Sequence, residues 1–260
     1  MRFASVTQPA RRGVSVAALL EVVLNRLSRL AVSVLAVALS GCATLGTLQT
    51  AETNGAGQFQ GAIEPAFLGF AGDAGGGGFG YFNVSGRYGV NDRVDIGGRF
   101  GTSGIELTTK FMLTDPSKPD GTIVSIAPSG GGFFLALGGS GAGVFNFQVP
   151  LIVGIPVGEH QFVVAPKLHA IVAGGGGGGE TGAVFIGSIG SSVGFSAKVA
   201  PSVRLMPEFA FVVPVIGGAG ASGEGSQIVS GFANGMLYQV SFGILFGGRK
   251  TAELDQRSWE

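Results

Sequence analysis

From residue 58 onward the chain alternates between apolar and polar or small residues with a period of two. Ten runs keep this pattern, at about 58–70, 78–90, 93–101, 104–114, 121–129, 144–156, 161–173, 183–198, 202–216 and 235–247. Most are longer than the usual strand of about five or six residues. They match the roughly 9–11 residues that a membrane-crossing strand needs. A period of two sends alternate side chains to opposite faces. One face carries Phe82, Val84, Tyr88 and Val90, then Val94, Ile96 and Phe100, then Ile105, Leu107, Phe111 and Leu113. The last run repeats it with Tyr238, Val240, Phe242, Ile244 and Phe246. No helical pattern interrupts the runs, and the short apolar stretch 134–137 reads as loop inside a glycine-rich segment.

The opposite face collects the charges: Glu64, Arg87, Asp95, Arg99, Glu106, Lys110, Lys167, Lys198, Arg204 and Glu208, with His169 beside them. A soluble barrel keeps its apolar face inside, and a membrane barrel inverts this. The period fits both. Three features favour inversion. The apolar face is rich in aromatic and branched residues. The charged face is rich in glycine, which makes up 49 of the 260 residues and suits a narrow interior. A membrane also demands paired strand edges, so an even set of antiparallel strands is expected to close. The expected fold is all-β: an antiparallel up-and-down transmembrane β-barrel of about ten strands (8–12) with a polar lumen. Prolines inside the runs, Pro65, Pro128, Pro150, Pro156, Pro166, Pro207 and Pro214, are expected at bulges or strand ends. A tethered lipocalin-like carrier of an apolar ligand, with the faces reversed, remains open.

The connections alternate too. Those at 71–78, 101–104, 130–143, 173–180 and 217–226 are glycine-rich, whereas those at 90–92, 114–121, 157–160 and 199–202 are tight or charged. Outer-membrane barrels have long outer loops and short periplasmic turns, which would place the glycine-rich set outside.

Ahead of the barrel, Arg26 and Arg29 precede an apolar run, Leu30–Leu39, which closes on Leu39-Ser40-Gly41-Cys42. These four residues resemble the lipobox of bacterial lipoproteins. The resemblance implies a signal peptide over 1–41, cleavage before Cys42, a diacylglyceryl thioether on its sulfur, and sorting to the outer membrane because Ala43 is not aspartate. Acyl chains contribute about 0.8 kcal/mol per buried CH2, so two or three anchor nearly permanently. Residues 42–57 then read as a lipidated flexible tether, 58–247 as the barrel and 248–260 as a periplasmic tail, with both termini periplasmic. Residues 58–247 resemble the small outer-membrane β-barrel proteins of Gram-negative bacteria, through YGVNDRVDIGGRFG (88–101) and the closing YQVSFGILF (238–246). This resemblance implies outer-membrane lipid, the barrel-assembly machinery and the lipoprotein-sorting machinery as partners.

Little in the chain suggests chemistry. The formal net charge is zero, which argues against a nucleic-acid surface. The single cysteine rules out an internal disulfide framework. No GxSxG is present, though His169 with Ser188 or Ser192 could be imagined as a base and nucleophile on neighbouring strands. No metal-ligand spacing appears, and the six glycines at 174–179 lack the lysine and helix of a phosphate loop. No catalytic or metal site and no cofactor is expected, apart from the acyl chains on Cys42. The inward charges should pair across a narrow lumen, because an unpaired buried charge costs several kcal/mol. They would form either a salt-bridge network that plugs the barrel or the lining of a narrow pore for small solutes or ions. The expected role is a non-enzymatic, lipid-anchored barrel that is structural or interactive at the bacterial envelope. The pore, the tethered carrier and a lipid-acting barrel enzyme are the alternatives.

Overall fold

A computed structural model describes residues 44–72, 75–115, 121–137, 140–177, 180–221, 227–230 and 235–248. The expected leader, Cys42 and the tail beyond residue 248 lie outside them. The alternating runs form β1 (Phe59–Gly72), β2 (Gly75–Asn91), β3 (Val94–Gly101), β4 (Gly104–Met112), β5 (Ile123–Ile126), β6 (Ser129–Leu137), β7 (Ser140–Val157), β8 (His160–Gly177), β9 (Glu180–Ala200), β10 (Val203–Ala221), β11 (Gln227–Ser230) and β12 (Gly235–Gly247). Every pairing is antiparallel. Neighbours in sequence pair from β1 round to β10, and β12 closes the ring between β10 and β1. The short β5 and β6 share one place between β4 and β7, while β11 extends the edge of β10. The ring therefore has ten places, as the ten runs anticipate, and closure leaves no exposed edge around its girth.

The faces are those of a membrane barrel. Outward side chains include Phe82, Phe100, Ile105, Leu107, Phe209 and Val240, with Leu107 68% exposed. Glu64, Arg87, Asp95, Arg99, Glu106, Lys110, Lys167, His169 and Glu208 are buried inside, with Glu64 and Lys110 only 1% exposed. This overturns the carrier alternative, which needs the apolar face within. A continuous apolar wall of this extent requires lipid around it rather than water.

The strands differ from the sequence reading in two respects. The 134–137 stretch is strand, not loop, because β6 pairs with β7 from Ser129 to Leu137. The other glycine-rich segments are also largely strand: Gly174–Gly177 of β8 continue the ladder with Ser140–Gly143 of β7. A ladder needs only backbone donors and acceptors, so glycine extends it without contributing side-chain packing. The prolines mark irregularities in several places. Pro128 separates β5 from β6, and a register shift falls between Pro214 and Ile216.

One end of the barrel carries the tight turns between β2 and β3, β7 and β8, and β9 and β10; this is the turn end. The other, the hairpin end, has uneven walls. The β3–β4 connection turns over at Gly101–Gly104, level with Asn83, whereas β2 continues up to Gly75. The mouth thus has a low rim at β3–β4.

Glycine permits the closest strand approach beside that rim. A Cβ on Gly131 of β6 would lie 2.6 Å from Glu106 Cα and 2.9 Å from its Cβ. Gly131→Val should strain the β4–β6 pairing by about 1–3 kcal/mol. A lower unfolding temperature of the barrel, read by the heat-dependent shift of its band on a denaturing gel, is the expected outcome.

Candidate functional site

The lumen is occupied by the chain's own residues 44–54. Thr44, Leu45, Thr47, Leu48, Gln49, Thr50, Ala51, Thr53 and Asn54 are all buried. The expected flexible tether is therefore an ordered plug. The chain runs from Thr44, whose hydroxyl donates to Ser103 Oγ at the low rim (3.3 Å), to the turn end. There Gly55 and Gly57 take positive φ (83° and 73°), a conformation open to glycine at no steric cost. Gly57 N–H donates to Gly89 O at 2.8 Å, and the chain reverses into β1.

Inside the lumen this extended segment has no β-partner, so its backbone must be satisfied by side chains. The barrel supplies them. Gln239 Oε1 accepts from the N–H groups of Leu45 (2.7 Å) and Gly46 (3.0 Å). Glu208 takes the N–H groups of Thr47 and Leu48 on its two oxygens, each at 2.7 Å, and the Thr47 hydroxyl at 3.0 Å. Gln161 accepts from Ala51 N–H and Asp95 from Asn54 N–H. On the acceptor side, Lys167 donates to Leu45 O, and Arg87 to Thr47 O and Leu48 O. Arg99 donates to Gly46 O and Thr47 O, Lys110 to Thr50 O and Glu52 O, and Ser125 to Ala51 O. Leu48 is held at φ 42°, an uncommon conformation for a residue other than glycine, by Glu208 on its N–H and Arg87 on its carbonyl.

The apolar side chains of the plug meet apolar lumen residues. Leu48 and Ala51 pack with Met112, Ile123, Ile152, Val163, Met206 and Leu245. Leu45 packs with Leu68, Tyr81, Ala210 and Val212. Full burial of a leucine side chain contributes about 1.5–3 kcal/mol. The lumen is thus polar only in part, because apolar side chains also occupy inward positions.

The sequence-predicted lumen charges divide into three groups, with His169 apart from them. Arg99 bridges Glu64 (2.6 Å) and Glu106 (2.9 Å), and Lys110 pairs with Asp95 (3.2 Å), so these five pair along one side of the wall, on β1, β3 and β4, rather than across the lumen as expected. Arg87, Lys167 and Glu208 instead turn to the plug's backbone. Lys198 and Arg204 are corrections. They sit at the turn-end rim, where Lys198 pairs with exposed Glu159 (2.6 Å) and Arg204 donates to Glu159 O. Register puts them too near the strand ends to reach the lumen's middle. There Lys198 holds the Glu159 carboxyl below its ordinary range, through their hydrogen bond and the lysine's charge. His160 begins β8 and accepts the Lys198 N–H through Nδ1.

His169 stands directly across from Ser188 and Gln148, in one transverse row with Ser129. Both His169 nitrogens, Ser188 Oγ, Gln148 Oε1 and Ser129 Oγ have no protein partner. The register brings the imagined base and nucleophile side by side, yet no hydrogen bond joins His169 to Ser188. Among the described residues no group of His, Cys, Asp and Glu side chains is arranged to hold a metal ion.

The sequence does carry a signal for the plug. Residues 44–53 read TLGTLQTAET, with threonine every third residue and Leu45, Leu48 and Ala51 one step later. A period of three belongs neither to the strands nor to an α-helix.

The two carboxylate oxygens of Glu208 accept three hydrogen bonds from the plug. Glu208→Ala would leave the buried Thr47 and Leu48 N–H groups unsatisfied, at about 1–3 kcal/mol each. Protease cleavage within residues 44–54 of the detergent-folded barrel should become measurable in this variant, while the unaltered protein stays intact.

No family model matches the chain, and no curated protein matches it. Among solved structures it is similar to neisserial surface protein A, at 13% identity and a TM-score of 0.37 over 72% of this chain and 96% of that one. It is similar to the attachment invasion locus protein Ail of Yersinia pestis, at 12% identity and a TM-score of 0.38 over 74% and 99%. The outer membrane protease OmpT of Escherichia coli is similar at 9% identity, with a TM-score of 0.39 over 73% and 96%.

Proposed function

We propose that this chain is a bacterial outer-membrane β-barrel closed by its own amino-terminal segment, non-enzymatic, with a structural or interaction role at the envelope. The plug is the observation that carries this reading. Leu45, Leu48 and Ala51 fill the lumen, and the buried charges are engaged by each other or by plug backbone. A lumen filled in this way leaves no wide aqueous path for solutes. The apolar outer wall supports residence in a bilayer, and the short turns at one end support an orientation with the hairpin end outward. Acylation at Cys42 gives a second attachment to lipid, after passage through the lipoprotein-sorting and barrel-assembly machineries. The outward hairpins are long, rich in glycine and poor in charge, and Phe133 and Phe134 are exposed aromatic groups on β6. Contact with a partner would centre on those two rings, since aromatic residues dominate binding hot spots.

Single-channel recording in planar bilayers tests the reading. The full chain should be silent, and deletion of residues 44–54 should open discrete steps. Arg99→Ala with Glu106→Ala should alter those steps in the deletion background and leave the full chain silent. Steady conductance from the full chain would replace the closed barrel with the narrow pore.

A further inference from the structure

The direction of the plug has a consequence for the chain's amino terminus. The residues from Thr44 to Asn54 can span at most about 33–36 Å when extended, comparable with the roughly 30 Å hydrocarbon thickness of a bilayer. Asn54 lies at the turn end, bound to Asp95 of β3, and Gly55–Gly57 make the reversal there. Thr44 lies at the hairpin end, bound to Ser103 in the β3–β4 connection. The barrel's last strand ends at the turn end, where Gly247 N–H meets Ser202 O and Gly248 N–H meets Phe59 O. The two ends of the described chain therefore leave the barrel on opposite sides. The expectation that both termini are periplasmic does not fit this geometry.

We infer that the barrel threads its own amino terminus outward, so that the mature chain begins at the outer face, beside the low β3–β4 rim. The inference rests on the orientation proposed above. The rim explains why emergence occurs there. Every other described wall at the hairpin end rises past the level of Gly101–Gly104, whereas β3 and β4 stop, leaving Thr44 at the one low point. Cys42, two residues further on, is within about 7 Å of Thr44 along the chain. Acyl chains on its sulfur would cross that rim into the outer leaflet, against the wall of Phe100, Ile105 and Leu107, which are 62%, 59% and 68% exposed. The side chains on that path are apolar outside and hydroxyl-bearing within, so a polar backbone and an acyl chain each meet a matching surface. A lipid in the inner leaflet would instead require the plug to leave the lumen, stripping Glu208, Lys167 and Arg87 of their backbone partners. The lumen of this barrel is thus a conduit for its own amino terminus, and the anchor faces the cell surface.

Two epitopes test this in intact cells: one inserted between Ala43 and Thr44, the other in the β8–β9 connection at residues 178–179. The expected result is antibody labelling of both without permeabilisation. Labelling of the 178–179 epitope alone would overturn the threading and leave the orientation standing. Labelling of the amino-terminal epitope alone, or of neither until the cells are permeabilised, would overturn the orientation and the inference with it. Because an insertion can disturb the plug, a second measurement places Thr44→Cys with Ser103→Cys in the membrane-embedded full chain that carries neither epitope. A disulfide seen as a reducible gel shift is expected in the double variant and not in Ser103→Cys alone. Its absence from a folded barrel would overturn the threading.

Discussion

The structure depends on how an extended, unpaired segment can lie in a charged lumen without losing its backbone hydrogen bonds. Side chains of the wall take the place of a partner strand. Glu208 and Gln239 receive consecutive N–H groups, while Lys167, Arg87, Arg99 and Lys110 cover the carbonyls. The exchange works in both directions. A buried charge without a partner is costly, and three of the wall's charges find theirs in the plug rather than across the barrel. The remaining five pair among themselves on β1, β3 and β4. Plug and wall therefore stabilise one another, and neither arrangement is complete alone.

Glycine sets the shape of this container. Where strands must lie close, as at Gly131 against Glu106, or where the plug backbone passes a wall side chain, as at Gly46 beside Gln239, any Cβ would collide. Elsewhere glycine extends the ladder above the lumen, producing tall hairpins on every described side but β3–β4. The uneven mouth, with its low point next to Thr44, is a product of where the glycine-rich ladders continue and where they stop.

Much of the barrel was legible because a period of two leaves little freedom. The third and fourth runs, 93–101 and 104–114, correspond closely to β3 and β4, and the last run coincides with β12. The glycine-rich stretches misled, since the absence of side chains removes the pattern on which a strand is recognised while leaving its hydrogen-bonding capacity whole. Stretch 134–137 was hidden for this reason behind Gly130–Gly132. Alternation puts Lys198 and Arg204 on the correct face but not at the correct height, because it reports a side and says nothing of depth along the barrel.

Alternation along the chain dictates long strands with the charges gathered on one face, since side-chain direction in a strand follows from local geometry alone. Which of those faces lay inside, and which charges met each other, were decided only by closure of the ring between β12 and β1. The plug shows the same division. Its three-residue repeat stands in the sequence, yet nothing local says that residues 44–54 should enter the lumen. Their partners lie as far as Gln239, and those contacts exist only once the tertiary fold has brought the wall around them.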